Sequence, residues 1–268
     1  MSKRKSKKTL KVHIIDHKKC DGNDYLPTIG ENGNWFTGGE DTGVAAKGEP
    51  GPQGPPGGVQ VPALISPINK TIDISELQNE IDALPRLLLA DVTFNVNPGT
   101  YDQPILIERF TGTGMLNIIG ADVKGQLTHN IVNMIIRYCS IMSVKVQGFN
   151  AVGTSNSIFS IANCTKVILQ YCSAMDGTSS TAMFHGVGID DGYAVVFECE
   201  FSNKNCAVRA GRGSRVIVYN TSGSNNYYAY SAYHAGIIQK EEDGTLNGTQ
   251  ADLCGLGGII VSKAGVIM

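Results

Sequence analysis

A weak repeat of apolar pairs constrains the fold of this 268-residue chain more than any other feature of its sequence. Apolar residues at positions i and i+2 recur along its second half, and their starting positions advance by 28, 23, 28, 21 and 21 residues. A short structural unit that recurs at such intervals along the sequence is typical of a solenoid, in which each unit forms one turn. Because the i, i+2 spacing indicates strands, we expect a β-solenoid; the alternative is a β-sandwich, whose strands recur every 8 to 12 residues or so. The pairs are Leu116/Ile118, Val144/Val146, Val167/Leu169, Val195/Phe197, Val216/Val218 and the imperfect Ile237/Gln239.

The composition agrees with an all-β chain. Glycine is abundant, at 32 residues, and charged residues make up 17% of the chain, against about 25% in ordinary soluble domains. Helices tolerate glycine poorly, so these values disfavour a helical bundle. The sequence contains no apolar run near the ~20 residues that a membrane helix needs, and we expect no membrane insertion.

The first residues form a basic arm. Residues 1–19 hold eight Lys and Arg against Asp16, which gives this arm a net charge of +7 and leaves −9 for the rest of the chain. Only Val12 to Ile15 resembles the apolar core of a signal peptide, which spans about 7 to 15 residues, so we expect no Sec-type export. The arm lacks aromatic residues and the remaining chain is acidic, which favours anchoring to another protein over binding of nucleic acid.

Cysteine and histidine spacing gives two further expectations. The seven cysteines are odd in number and irregularly spaced, so we expect small buried thiols and no disulfide framework. His13, His17 and Cys20 have a spacing that suits a metal ion. A fourth ligand is not evident, so we favour a docking arm with incidental histidines and predict no metal site.

A short segment at residues 48–58 has glycine at every third position. Three polyproline II strands wound together have room only for glycine at their axis, so this period predicts a collagen-like triple helix and a homotrimer. The alternative is a Pro/Gly linker that only spaces two domains. The glycines that would set the register of the three chains are Gly48, Gly51, Gly54 and Gly57.

One helix is predicted at residues 76–84. Ser75 and Gln78 have the spacing of a capping box, and Pro85 ends the helical pattern. Leu77, Ile81 and Leu84 share one face. We therefore divide the chain into an attachment region (1–47), the collagen-like segment (48–58), a capping segment with this helix (59–90) and the solenoid (91–268).

Several of these segments resemble known proteins. The stretch 74–85, the stretch Val92 to Tyr101 with its Asn-Pro-Gly-Thr-Tyr turn, and the stretch 112–120 resemble the opening of right-handed parallel β-helix domains, which occur in phage tail spikes and pectate-lyase-like proteins. The stretch 29–44, Ile-Gly-Glu-Asn-Gly-Asn-Trp followed by Asp-Thr-Gly-Val, is similar to a module of tail-fibre proteins from phages of Gram-positive bacteria. That module often precedes collagen-like triplets, as it does in this chain.

The resemblance implies a homotrimeric appendage on the tail of a phage or of a phage-tail-like bacteriocin. Residues 1–47 would attach to tail or baseplate proteins, and the right-handed β-helix would bind saccharide on the surface of the host cell. The protein would be made in the host cytoplasm, would reside in the virion tail and would need no cofactor.

Two aspartates are the candidates for catalysis. Asp190 and Asp191 lie in Gly-Ile-Asp-Asp-Gly, downstream of His185, and paired carboxylates can cleave glycosidic bonds. The stretch faintly resembles the polygalacturonase pattern. It departs from that pattern because His185 precedes the aspartates and no Arg-x-Lys follows them. A solvated turn is the alternative, since Asp and Gly favour turns.

Tyrosines and arginines are the candidates for ligand binding. Exposed aromatic rings with amide neighbours suit sugar rings, but the same tyrosines could pack in the core or between chains. Guanidinium groups suit anionic polymers, but the arginines could equally be surface charge. The candidates are Tyr227, Tyr228, Tyr230, Tyr233, Arg209 and Arg212.

The sequence thus predicts a receptor-binding tail fibre or spike that performs no catalysis. The first alternative is a polysaccharide depolymerase, a hydrolase or a lyase, on the same scaffold. The second is a structural fibre or adaptor that carries another receptor-binding protein.

Overall fold

The computed structural model describes residues 27–47, 61–153, 157–175, 184–241, 244–262 and 265–267. The chain forms two compact units, Met1–Val59 and Gln60–Met268, each of which is described by itself. Strands account for 58% of the described residues and helices for 5%. The larger unit is a parallel β-solenoid of about eight turns, which confirms the predicted class and arrangement. The triplets of 48–58 and the candidate ligands His13, His17 and Cys20 lie outside the described residues.

The described part of the smaller unit is an antiparallel sheet of three strands, Thr28–Ile29, Asn34–Thr37 and Glu40–Ala45. The Asp41 carboxylate accepts hydrogen bonds from Asn32 Nδ2 at 2.6 Å and Asn34 Nδ2 at 3.1 Å. The backbone N–H of Gly43 also donates to it, at 2.8 Å, and this bond lowers the pKa of Asp41. The Asp41 side chain therefore links the third strand to the second strand and to the turn before it.

The described turns of the solenoid contribute strands to three main parallel sheets. The strands of sheet 1 are Ile68–Asp73, Val92–Asn97, Met115–Ile119, Ser143–Gln147, Val167–Gln170, Tyr193–Phe197, Arg215–Tyr219, Ile237–Lys240 and Ile259–Ser262, with Gly265–Ile267 antiparallel at its end. Sheet 2 has the short strands Gly99–Tyr101, His129–Ile131, Asn150–Ala151, Ser173–Ala174 and Glu200–Phe201. Sheet 3 has Ile105–Glu108, Met134–Arg137, Ser157–Ala162, His185–Asp190, Cys206–Gly211, Gly223–Tyr233, Leu246–Gln250 and Leu253–Gly255. A smaller parallel sheet joins Ala63–Leu64, Leu87–Leu88 and Thr111–Gly112.

Stacks of apolar side chains fill the interior. The parallel register places one inward residue of each turn above its equivalent in the turn before, and strand alternation sends its neighbours outward. The longest stack in sheet 1 is fully buried and consists of Val92, Leu116, Val144, Val167, Ala194, Val216, Ile238 and Ile260.

Two of the six predicted apolar pairs are out of phase with this stack. Ala194 and Val196 point inward and are fully buried, whereas the predicted pair Val195/Phe197 lies on the outer face. The inward residue of the following turn is likewise Ile238, not Ile237 or Gln239. The prediction was wrong because the outer face of sheet 1 is itself apolar here, and a one-residue shift exchanges the two faces of a strand.

Left-handed residues form the corners between the sheets. Tyr171, Glu198 and Asn220 follow successive strands of sheet 1 with φ of 53°, 53° and 43°. The Tyr171 N–H donates to Phe197 O at 3.2 Å and the Glu198 N–H to Tyr219 O at 3.0 Å, so the corners also stack through hydrogen bonds. A second column of left-handed residues leads from sheet 3 towards sheet 1 and consists of Arg109, Tyr138, Asn163, Asp191, Arg212 and His234.

Cysteines stack beside these corners. Cys172 and Cys199 occupy equivalent positions of successive turns, and Cys139 and Cys164 do the same at the second column. All four thiols are free and buried, as is Cys206, and Cys254 is half-buried. For these six the predicted small buried thiols are thus largely confirmed; Cys20 lies outside the described residues.

The helix closes one end of the solenoid. It runs from Leu77 to Ala83 after a 3₁₀ turn at Ile74–Glu76, and its Leu77 and Ile81 are fully buried. The predicted capping box is absent, because the Gln78 side chain instead pairs with the backbone of Leu106, accepting from its N–H at 2.7 Å and donating to its O at 3.1 Å. Gln78 thereby supplies hydrogen-bond partners for backbone groups of the edge strand of sheet 3. No described helix is long and apolar enough to cross a membrane.

Candidate functional site

A cleft of about 230 Å³ lies on sheet 3, where three successive strands and the corner after them meet. Its walls combine aromatic rings with hydrogen-bonding side chains, which is the composition of small-ligand sites. Eight residues line it: His185, Asn205, Cys206, Arg209, Tyr228, Ser231, Tyr233 and His234.

The register of the parallel strands assembles this cleft. His185, Cys206 and Tyr228 are direct partners on three successive turns. Arg209 pairs with Ser231 in the same way, and its side chain points outward because its neighbours Val208 and Ala210 are fully buried. Residues that are 21 and 22 positions apart in the sequence thus become neighbours.

The Arg209 guanidinium is held by an ion pair. Its Nη1 lies 3.3 Å from Asp190 Oδ2 and 3.4 Å from Asp190 Oδ1, and the two side chains are 25% and 29% exposed. Gly211 pairs with Asp190 in the strand register, and a Cβ at this position would collide with Asp190 Oδ1. Glycine at 211 therefore leaves the room that the ion pair occupies.

His185 is held in its neutral form. Burial, followed by the nearby positive charge of Arg209, lowers its pKa to about 4, and the negative charge of Asp190 opposes this shift without cancelling it. The buried Nδ1 of His185 has no hydrogen-bond partner in the described part of the chain. At neutral pH the ring therefore offers an uncharged nitrogen at the cleft.

The Cys206 thiol contributes no nucleophile. Burial raises its pKa far above the ordinary value, and its Sγ contacts the Val208 carbonyl oxygen at 3.1 Å. A thiol that stays protonated at neutral pH is chemically inert.

The four candidate tyrosines separate into three environments. Tyr228 and Tyr233 line the cleft. Tyr227 lies outside the lining and packs edge-on against Tyr228, with ring centroids 4.7 Å apart. Tyr230 points into the interior and is 6% exposed. The Lys240 ammonium lies over its ring, 4.6 Å from the ring centroid. The prediction of Tyr230 as a surface ligand was therefore wrong, and the core alternative applies to it.

The remaining candidates lie at or near the second corner column. Arg212 and Asp191 are exposed corner residues with φ of 47° and 49°, and neither lines the cleft. Asp190 faces Arg209 instead of a second carboxylate. Within the described residues, no group of three or more His, Cys, Asp or Glu side chains is arranged to hold a metal ion.

Sequence reasoning found part of this lining and missed the rest. Arg209, Tyr228 and Tyr233 were candidates, and His185 was noted beside the candidate aspartates without a binding role. Asn205, Cys206 and Ser231 were missed. The signal that could have found Cys206 is the turn length, because steps of 21 and 22 residues connect His185, Cys206 and Tyr228.

Comparison of the chain with protein-family models, with curated proteins and with solved structures finds no match in any of the three. The site is therefore interpreted from its own geometry and chemistry.

Proposed function

We propose that this protein binds saccharide through the sheet 3 cleft, as the receptor-binding fibre or spike on the tail of a phage or phage-tail-like particle. In this proposal residues 1–47 attach the chain to tail or baseplate proteins, and the solenoid binds polysaccharide on the host surface.

One observation carries the binding proposal: Tyr228, Tyr233 and Arg209, selected from sequence as ligand-binding residues, line a single cleft. Two tyrosine rings offer apolar faces to a sugar ring. Asn205, Arg209 and the histidines add hydrogen-bonding groups that hydroxyls can use. A small cleft with a few polar groups among aromatic rings suits one or two sugar units.

The setting of the protein is supported by its sequence. The order of attachment module, glycine triplets and β-helix opening resembles that of phage tail fibres, and the period of Gly48, Gly51, Gly54 and Gly57 favours a triple helix of three chains. We accordingly propose a homotrimer with a collagen-like segment and right-handed coils.

The binding proposal is tested by applying the full-length protein to a glycan array and to host cell walls. Tyr228→Ala and Tyr233→Ala should each weaken saccharide binding about tenfold, because each removes an aromatic face. Tyr219→Ala is the matched control, since Tyr219 is a half-buried tyrosine at the end of a sheet 1 strand. Binding that is lost equally in all three variants, or no binding by the wild-type protein, would overturn the proposal.

Cleavage of the bound polysaccharide is the second candidate function. His185 and Asp190 begin and end the same strand of sheet 3, and the negative charge of Asp190 acts on the neutral His185 ring beside the cleft. Release of reducing ends or of unsaturated uronates, abolished by Asp190→Asn, would establish a depolymerase. A particle reconstruction in which another protein covers the solenoid would instead establish the structural adaptor.

A further inference from the structure

We propose that the cleft selects acidic saccharides, with Arg209 binding the carboxylate or phosphate group of the ligand and Asp190 positioning Arg209. This inference rests on the proposed saccharide binding and adds the chemical class of the ligand. Asp190, a catalytic candidate from sequence, then acts through Arg209.

The charge of the lining favours an anion. Among the eight residues that line the cleft, Arg209 is the one with a permanent charge. Its partner Asp190 is not part of the lining. A ligand in the cleft therefore meets a guanidinium as the one permanent charge of the lining.

The ion pair leaves part of the guanidinium available. A guanidinium has five N–H donors, and Arg209 uses Nη1 for Asp190. Its Nε and Nη2 make no hydrogen bond with the described residues. Two donors on one planar group match the two oxygens of a carboxylate or phosphate, and such paired bonds are stronger than those between neutral groups.

The backbone beside Arg209 keeps this edge open. A Cβ on Gly211 would lie 3.1 Å from Arg209 Nη2, in addition to its collision with Asp190. Every other residue type at 211 would therefore crowd the guanidinium. Glycine at this position leaves space beside Nη2.

The pKa of His185 responds to both charges of the ion pair. Of the two opposing charges that act on this ring, Arg209 has the larger effect. The ion pair thus does not neutralise Arg209 within the cleft, since its positive charge still dominates at a lining residue. A positive, partly desolvated group in a small cleft attracts an anion.

The test compares paired probes on the full-length protein by isothermal titration calorimetry. The first pairs are oligosaccharides of polygalacturonate, hyaluronan and alginate, each beside its carboxyl-reduced neutral form. The second are phosphorylated oligosaccharides before and after phosphatase treatment. We expect at least one acidic member to bind roughly tenfold to hundredfold more tightly than its neutral partner. The first arm identifies a carboxylate ligand and the second a phosphate ligand.

Variants assign the selectivity to Arg209. Arg209→Gln should remove the preference for the acidic member, so that the acidic and neutral members of each pair bind alike. Arg209→Lys should keep part of the preference, because it retains the charge and loses the planar pair of donors. Arg215→Gln is the matched control, since Arg215 is an exposed arginine of sheet 1 that pairs with Gln239. It should leave the preference unchanged.

Asp190 is tested as a positioning residue. Asp190→Asn should reduce the ratio of acidic to neutral affinity, and Asp190→Glu should restore part of it. A merely structural role would lower both affinities equally and leave the ratio intact, which would contradict the assignment of Asp190.

The outcomes separate this inference from the proposed function. Equal binding of the acidic and neutral members overturns the inference and leaves saccharide binding in place. Binding of neither class, here and on the glycan array, overturns both. Because the wild-type protein alone gives the paired comparison, an Arg209 variant that fails to fold does not prevent the test.

Discussion

Sheets 1 and 3 belong to the same solenoid and have equally apolar inner faces, but their outer faces differ in chemistry. On the outside of sheet 1, Ile168, Val195 and Ile217 stack on successive turns. Beside them the rings of Tyr171, Phe197 and Tyr219 form a ladder with centroid separations of 6.5 Å and 6.3 Å. This outer face repeats similar side chains from turn to turn.

The outer positions of sheet 3 change from turn to turn. In the register, His185 is followed by Cys206 and Tyr228, and Gly188 by Arg209 and Ser231. The inner stack on the same three turns, by contrast, is buried throughout and consists of Val187, Val208 and Tyr230. The inner residues hold the turns together, so the outer residues of sheet 3 can differ and form a cleft.

The largest expected effect tests whether the inner faces are equivalent. Leu169→Ala in sheet 1 and Ile189→Ala in sheet 3 should each lower the free energy of unfolding by about 2 to 5 kcal/mol, because both side chains are fully buried. Ile168→Ala, on the outer face, should cost clearly less. Urea unfolding midpoints measure this, and a much smaller loss at Ile189 would break the equivalence.

The next effect concerns pH and belongs to sheet 3 alone. The pKa of His185 is lowered from 6.5 to about 4 in the folded protein, so the unfolded chain binds this proton first as the pH falls. Its contribution to stability is complete above pH 6.5 and decreases by up to roughly 3 kcal/mol between pH 6.5 and 4. His185→Gln should flatten this part of the curve of unfolding free energy against pH. An unchanged curve would show that His185 is not buried as described.

A smaller effect distinguishes the outer faces. Phe197→Ala should lower the free energy of unfolding by about 1 to 2 kcal/mol, since it interrupts the aromatic ladder of a half-buried surface. Phe197→Tyr, which keeps the ring, is the control. Saccharide affinity should not change in either variant, and a loss in Phe197→Ala would move the binding site towards sheet 1.

The smallest stability effect is expected at the ion pair. Both partners are partly exposed, so Asp190→Asn should alter the free energy of unfolding by less than about 1 kcal/mol. Chemical denaturation measures this change. A loss of several kcal/mol would indicate that the pair supports the fold of sheet 3 and not chiefly the binding of a ligand.

The sequence predicted the solenoid because inward positions such as Val144 and Val167 must be apolar on every turn. It misplaced the phase at Val195 and Ile237, where the two faces of the strand have similar side chains and alternation carries no information. Which residues of such a strand point inward depends on how the neighbouring turns stack. Only the register of the strands in the folded solenoid shows this.

The candidate site was predictable residue by residue but not as an assembly. Tyr228 and Arg209 have side chains whose chemistry suggests binding by itself. Tyr230 has the same chemistry and lies two positions after Tyr228, so strict alternation would place both rings on one face. The strand departs from alternation between them, since Ala229 and Tyr230 are both buried, and the sequence does not show this departure. The candidate metal ligands His13, His17 and Cys20 and the triplet glycines stay untested, since they lie outside the described residues.

Hydrogen exchange with and without a bound saccharide tests the central claim most directly, because it reports on both sheets at once. The array identifies the saccharide, and peptides covering Cys206–Gly211 and Tyr228–His234 report on sheet 3, while peptides covering Tyr193–Phe197 and Arg215–Tyr219 report on sheet 1. The account predicts slower exchange in the sheet 3 peptides and no change in the sheet 1 peptides. Protection confined to sheet 1 would contradict it.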